Sequence, residues 1–211
     1  MRIGAFLGAY DDTFLQFCQQ YGVTDIVGGF SSMPDYTRKF PPDAATKPGC
    51  HWDYLELLQL RERVESYGLT LASMENPQPS WCFDDVMLGL PGREQQLENL
   101  YTTIRNMGRA GIPYVGYNWM VGNARNPRFS TRTSVNYPAR GGAHSDLLDM
   151  AEVDKAPRFR EREYGAEEMW ENYEYFVRAI VPVLEECGVR MGLHPDDPPT
   201  PKVGGIARLF H

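Results

Sequence analysis

The run His194-Pro195-Asp196-Asp197-Pro198-Pro199 puts an imidazole and two carboxylates in one hexapeptide, directly after the apolar segment Val189 to Leu193. A neutral imidazole is a common ligand for divalent cations, and a carboxylate can orient it by accepting its second N–H. His194 is therefore the candidate metal ligand. Asp196 and Asp197 have two readings, as groups that orient the histidine or as a solvated turn stiffened by Pro195, Pro198 and Pro199. An apolar strand ending in such residues suits metal-assisted chemistry, because in parallel β/α proteins the carboxyl ends of strands are where side chains converge on a ligand.

The elements that would carry this hexapeptide alternate regularly. Ile3 to Leu7 reads as a strand, and Phe14, Phe17, Cys18 and Tyr21 follow at helical spacing until Gly22. Asp25 to Phe30 is a second buried strand. Asp53 can cap a helix with a stripe through Leu55, Leu58 and Val64, which Gly68 ends before a third strand, Leu69 to Met74. Arg93 to Ala110 keeps Leu97, Leu100, Ile104 and Met107 on one face, and Tyr114 to Trp119 is the fourth strand. The last long helix, Ala166 to Cys187, offers Trp170, Tyr173, Val177, Ile180 and Leu184 as its inner stripe, with Pro182 expected to bend it. Val189 to Leu193 is the fifth strand, and Gly204 to Phe210 reads as the start of a further helix.

Alternation of this kind implies a parallel sheet with right-handed crossovers. No early strand-to-helix turn carries G-x-G-x-x-G or G-x-x-x-x-G-K-[ST], which favours a closed barrel over an open nucleotide-binding sheet. The expectation is an α/β protein of TIM-type (β/α)8 design. A full barrel takes about 250 residues, so 211 residues with about five strand-helix units read as a single incomplete barrel domain with an uncovered sheet edge.

The region from about 120 to 165 shows no periodicity and is too long for an ordinary connection, so it reads as a loop insertion over the site. It holds Arg125, Arg128, Arg132, Arg140 and His144, interleaved with Asn123, Asn126 and Asn136. A guanidinium binds a carboxylate through a planar fork, which makes Arg132 the candidate for a sugar acid's carboxylate. Asn118, just past the fourth strand, is the candidate for substrate hydroxyls, although asparagine also serves turns. His51 and Glu75 lie near strand-to-helix connections and are explained as a residue at a helix start and a strand-terminating acid. Trp170, Tyr173 and Tyr175 read as core and rim, not as a base-stacking platform.

A net charge of -7 and a pI near 5.1 argue against nucleic acid as the main partner, and 42% hydrophobic with 23% charged residues is a globular composition. The amino terminus reaches Asp11-Asp12 too soon for a secretory signal, and no apolar run approaches the roughly 20 residues of a membrane span. A cytoplasmic protein with no membrane partner is expected. Cys18, Cys50, Cys82 and Cys187 form no C-x-x-C pair, which reads as reduced thiols without a zinc knuckle or redox dithiol.

Three segments resemble the mannonate dehydratase family, which belongs to the xylose isomerase-like barrels. They are Leu88-Gly89-Leu90-Pro91-Gly92-Arg93 with Glu98-Asn99-Leu100 and Thr103-Ile104-Arg105-Asn106; Tyr117-Asn118 with Thr131-Arg132-Thr133 and Arg140-Gly141-Gly142-Ala143; and, the most specific, Gly192-Leu193 through Pro199. The resemblance implies a lyase that converts D-mannonate to 2-keto-3-deoxy-D-gluconate and water in glucuronate catabolism. It also implies Mn2+ or Fe2+ held by His194, with the cysteine, second histidine and aspartate of the family's ligand set on strands beyond His211, where the general acid and base would also lie. A homo-oligomer is compatible with it. The alternatives are a metal-dependent sugar isomerase or epimerase on the same barrel and a non-catalytic sugar-acid binding fragment.

Overall fold

The computed structural model describes residues 1–8, 11–122, 133–155, 158–197 and 199–211. Strands β1 (Gly4–Phe6), β2 (Asp25–Gly29), β3 (Thr70–Glu75) and β4 (Tyr114–Tyr117) alternate with helices α1 (Asp12–Gln20), α2 (Tyr36–Lys39), α3 (Tyr54–Ser66), α4 (Asp84–Leu88) and α5 (Arg93–Arg109). A hairpin of β5 (Ser134–Pro138) and β6 (His144–Leu147) follows, then α6 (Met150–Val153), α7 (Ala166–Cys187) and β7 (Arg190–Leu193). A short hairpin, β8 (Lys202–Val203) and β9 (Ile206–Ala207), comes last.

The main sheet is parallel throughout, in the order β1-β2-β3-β4-β7, so each strand lies beside its predecessor in the sheet. It is the expected α/β arrangement, and among the described residues it stays open, with β1 and β7 as its edges. The register steps by one residue between Ile26 and Val27, which accommodates Ala72 as a bulge in β3. That bulge lets Leu71 and Met74 both turn to the helical side, where a Cβ on Gly28 would touch both of them and Leu60.

The core lies between the sheet and the helices and includes Ile26, Leu71, Met74 and Val115 from strands with Leu57, Leu60, Val64, Leu97, Ile104 and Ile180 from helices. The stripe predicted for α5 is buried as expected. Those of the other helices need rotation. In α3 the buried set is Leu57, Leu60 and Val64, while Leu55 is 64% exposed. In α7 it is Met169, Phe176, Ile180, Val183 and Leu184, and Trp170, 47% exposed, rests instead on Phe210 with ring centroids 5.4 Å apart. In α1 Leu15 and Cys18 are buried while Phe17 and Tyr21 stack on each other in solvent. A leucine-rich or aromatic-rich helix offers two neighbouring stripes, and only the position of the sheet decides between them.

Two further expectations change. Gly204 and Gly205 adopt φ of 57° and 83°, the left-handed pair of a tight hairpin turn, so the predicted helix over 204–210 is replaced by β8 and β9. This hairpin docks on the segment before α7, with Tyr164 N donating to Gly205 O and Ala207 N to Tyr164 O. The described part of 120–165 holds β5, β6 and α6, and Arg160 pins its end by donating to Asp84 Oδ2 at 2.6 Å.

Candidate functional site on the uncovered sheet face

The face of the sheet away from the helices is set by register. Gly29 pairs with Glu75, Glu75 with Gly116 and Gly116 with Gly192, so these residues form one row across β2, β3, β4 and β7. Alternation along a strand puts all of them on the same face. Three glycines leave Glu75 as the only side chain in the row. A Cβ on Gly29 would meet Glu75 O at 2.8 Å, one on Gly116 would meet Glu75 Cγ at 3.3 Å, and one on Gly192 would collide with the Tyr114 hydroxyl. The row is a trough floored by backbone, with a half-buried carboxylate in it, and the Tyr114 hydroxyl lies over its Gly192 end.

His194 lies two residues beyond Gly192, so the same alternation assigns it to the trough side at the carboxyl end of β7. Its backbone N–H donates to Tyr117 O at 2.7 Å, extending the β4–β7 ladder by one bond. Its side chain is exposed, and Nδ1 lies 2.6 Å from Pro195 O. A carbonyl only accepts, so Nδ1 is the donor in this contact, and in the neutral ring that leaves the lone pair on Nε2, the arrangement a metal-ligating histidine uses. Among the described residues no group of three or more histidine, cysteine, aspartate or glutamate side chains is placed to hold a metal ion. The described chain therefore offers the exposed His194 imidazole and does not assemble a complete ligand set.

Asp196 faces away from this role. It is 4% exposed, its Oδ2 accepts from Phe210 N at 3.1 Å, and its own N–H donates to Phe210 O at 3.0 Å. Burial pushes its carboxyl up, opposed by the Phe210 N–H and by Arg208. It closes the chain's last segment onto the strand-end loop. Asp197 is exposed, and its N–H donates to Met120 Sδ at 3.4 Å.

Asn118 is half-buried and fastens two loops: Nδ2 donates to Asn76 Oδ1 at 3.0 Å, and Oδ1 accepts from Met120 N at 3.2 Å. Asn76, with φ of 45°, in turn receives Phe30 N on its carbonyl and donates its own N–H to Gly116 O. Loops after β2, β3 and β4 are thereby tied together above the trough. Arg125, Arg128 and Arg132 lie outside the described residues, as do Asn123 and Asn126. Arg140 and His144 are exposed on the β5–β6 hairpin, with Asn136 exposed beside them. His51 sits just before α3, its Nε2 3.4 Å from Asp53 Oδ1, in the place of a residue at a helix start. Tyr173 packs against the strands, its hydroxyl 2.8 Å from that of Tyr117, while Tyr175 donates to Glu94 Oε1 at the rim.

Sequence reasoning missed the glycine row, because its members are far apart in the chain and meet only through the register. Strand ends rich in glycine were the available signal. It also missed Asp84, a buried acid paired with Arg160, whose carboxyl burial pushes up to about 6 against the pull of the guanidinium.

A parallel β/α sheet with helices on one face, a cleared trough on the other and a preset imidazole at a strand end defines the scaffold of a TIM-type barrel. Comparison with known proteins narrows this: a sequence profile described as D-mannonate dehydratase (UxuA) matches residues 1–160 and 158–211, and the chain belongs to that family. It is 36% identical over 188 residues to the mannonate dehydratase of Streptococcus pneumoniae (strain 70585), covering 77% of this chain and 48% of that protein. With the Thermotoga maritima mannonate dehydratase it shares 30% identity over an alignment of 224 positions, covering 94% of this chain and 58% of the other.

Among solved structures, mannonate dehydratase from Streptococcus suis serotype 2 superposes with a TM-score of 0.73 at 29% identity, over 100% of this chain and 56% of that one. A D-psicose 3-epimerase with D-tagatose, from Clostridium cellulolyticum H10, superposes at 0.51 with 11% identity over 92% of this chain and 52% of the other, a likeness of fold. The chain spans about half the length of the curated relatives it matches.

Proposed function

We propose that this protein serves the dehydration of D-mannonate to 2-keto-3-deoxy-D-gluconate and water, in the cytoplasm, as a step of glucuronate catabolism. The observation that supports it most strongly is that the dehydratase profile runs across the chain, His194 included. The reaction removes a proton from the carbon next to the carboxylate and expels the neighbouring hydroxyl as water. A divalent ion, Mn2+ or Fe2+, would supply Lewis-acid stabilisation of the charge that develops on the carboxylate.

His194 would hold that ion through Nε2, with the remaining ligands, the general acid and the general base in the part of the relatives' length that this chain does not span. Arg132 would grip the carboxylate of the sugar acid. Asn118, with one Nδ2 hydrogen and Oδ1 already committed within the protein, would offer its second Nδ2 hydrogen to a substrate hydroxyl. Glu75, half-buried in the glycine row, would accept from another substrate hydroxyl.

Incubation of this chain, extended to the length of its relatives, with D-mannonate and Mn2+ followed by mass spectrometry tests this. A product lighter than the substrate by one water, positive for a 2-keto-3-deoxy acid, is expected. A product of unchanged mass would replace the reading with an isomerase or epimerase, and Mn2+-dependent binding without turnover would replace it with a binding module.

A further inference from the structure

Cys50 and Cys82 stand 32 residues apart in sequence, yet their sulfurs are 3.8 Å apart. Cys50 belongs to the connection from β2 to α3, and Cys82 ends a 3-10 turn, Ser80–Cys82, in the connection from β3 to α4. Both connections leave the carboxyl ends of neighbouring strands, on the side of the sheet where His194 and Asn118 lie. Other bonds already hold the two connections in register. Gln78 Nε2 donates to Cys50 O at 2.6 Å, and Trp52 Nε1 donates to Pro77 O at 2.5 Å. The sulfurs are therefore brought together by a cross-bonded framework and not by chance packing of mobile side chains.

We propose that Cys50 and Cys82 form an oxidisable dithiol that a peroxide converts to a disulfide, stapling the β2–α3 connection to the β3–α4 connection. A disulfide bond is about 2.05 Å long, so the sulfurs, 3.8 Å apart, must close by a little under 2 Å. In the first step the Cys50 sulfur attacks a peroxide oxygen, the O–O bond breaks, and Cys50 becomes a sulfenic acid as one water leaves. In the second the Cys82 sulfur attacks the Cys50 sulfur, the S–O bond breaks, and a second water leaves with the Cys82 proton. Two thiols lose two electrons in all, and one peroxide is reduced to two waters.

The order follows from the local electrostatics. Either sulfur can donate across this contact; with Cys82 as the donor the Cys50 thiolate is favoured, and the Lys39 ammonium adds to this against the cost of burial. The same contact, with burial and the charge of Asp84, pushes the Cys82 thiol far up. Thiolate is the nucleophilic form, so Cys50 attacks first and Cys82 resolves. Both residues are nearly buried, but Cys50 follows the exposed run Lys47-Pro48-Gly49, and Gly49 has φ of 89° with no neighbour within 4 Å of a Cβ. Local opening of that run gives a small oxidant its path. Cys18 and Cys187 have no such partner, and burial pushes both thiols up.

The test is hydrogen peroxide treatment of the whole chain, blocking of remaining thiols with N-ethylmaleimide in denaturant, and peptide mass mapping. The expected result is a Cys50–Cys82 cross-linked peptide, released by dithiothreitol, with Cys18 and Cys187 still blocked by maleimide. Maleimide on both Cys50 and Cys82 after Cys187 has been consumed, or a sulfinic acid at Cys50 without a cross-link, would overturn the proposal. In Cys82→Ser the sulfenic acid should persist at Cys50 and take a dimedone label, whereas Cys50→Ser should leave Cys82 unlabelled. Should neither variant fold, the cross-link map of the unsubstituted chain decides alone.

Discussion

Gly29 and Gly116 occupy the same row but face different obstacles, so alanine at each has a different expected cost. At Gly29 a Cβ would stand 2.8 Å from the Glu75 carbonyl oxygen, a backbone atom of the neighbouring strand, with the Phe6 ring 3.6 Å away on the other side. Contact that close with backbone forces β2 and β3 to part. Overpacking of this kind costs typically 1 to 3 kcal/mol, and the rigidity of the obstacle puts Gly29→Ala at about 2 to 3 kcal/mol. At Gly116 the nearest atoms are Glu75 Cγ at 3.3 Å, Cα at 3.4 Å and Cβ at 3.5 Å. A shift of a few tenths of an ångström relieves them, and the loss of glycine's extra backbone freedom in the unfolded chain offsets part of the strain. Gly116→Ala should therefore cost under about 1 kcal/mol.

Urea unfolding followed by tryptophan fluorescence measures both. Gly29→Ala should lower the transition midpoint clearly and the melting temperature by roughly 5 to 10 °C for a chain of this size, while Gly116→Ala stays within about 3 °C of the parent. The Gly116 methyl nevertheless fills the space beside Glu75, so this variant should lose affinity for D-mannonate in the presence of Mn2+ although it folds. Equal stability of the two variants would refute the register argument, and full affinity in Gly116→Ala would refute the trough as the place where the sugar acid lies.

His194→Ala is expected to lower Mn2+ binding in equilibrium dialysis at least tenfold while leaving the metal-free melting temperature unchanged, because the exposed ring bonds only to Pro195 O; normal metal loading would reject the ligand assignment. Asn118→Ala removes the ties to Asn76 and Met120 and should cost about 1 to 2 kcal/mol in chemical denaturation, and an unchanged midpoint would remove its loop-fastening role. For Asp84 the folded carboxyl titrates at about 6 against an ordinary 3.8, so its favourable contribution is full below 3.8 and is lost as pH rises through about 6. Asp84→Asn, which cannot ionise, should gain on the parent by roughly 2 to 3 kcal/mol between acid and neutral pH, and a pH-independent difference between the two would contradict the raised value.

Much of the scaffold is legible in the sequence. The span Ala166–Cys187 is read without error because an apolar period over six turns is bounded by Gly165 and Gly188, and the strands come within a residue or two because each follows a glycine-ended helix or precedes a polar loop. The hairpins are less visible: β8 and β9 are two residues each, too short for any alternation, and only the Gly204-Gly205 pair marks their turn. His194 is legible because one strand end suffices to place it. The Gly29, Glu75, Gly116 and Gly192 row is not, since it needs the relative level of four strands drawn from the length of the chain. The nearness of Cys50 and Cys82 escapes for the same reason, as a spacing rule sees only neighbours in sequence.

That level has a bearing on how safely the chain can fold. Side chains alternate with a period of two, so β3 slipped by a single residue would carry Glu75 into the oily layer under α3 and α5 and present Met74 on the opposite face. An unpaired carboxylate among Leu60 and Ile104 is costly enough to reject that arrangement, so the one acid in the row also serves as an assembly checkpoint that tells the correct strand pairing from its nearest counterfeit.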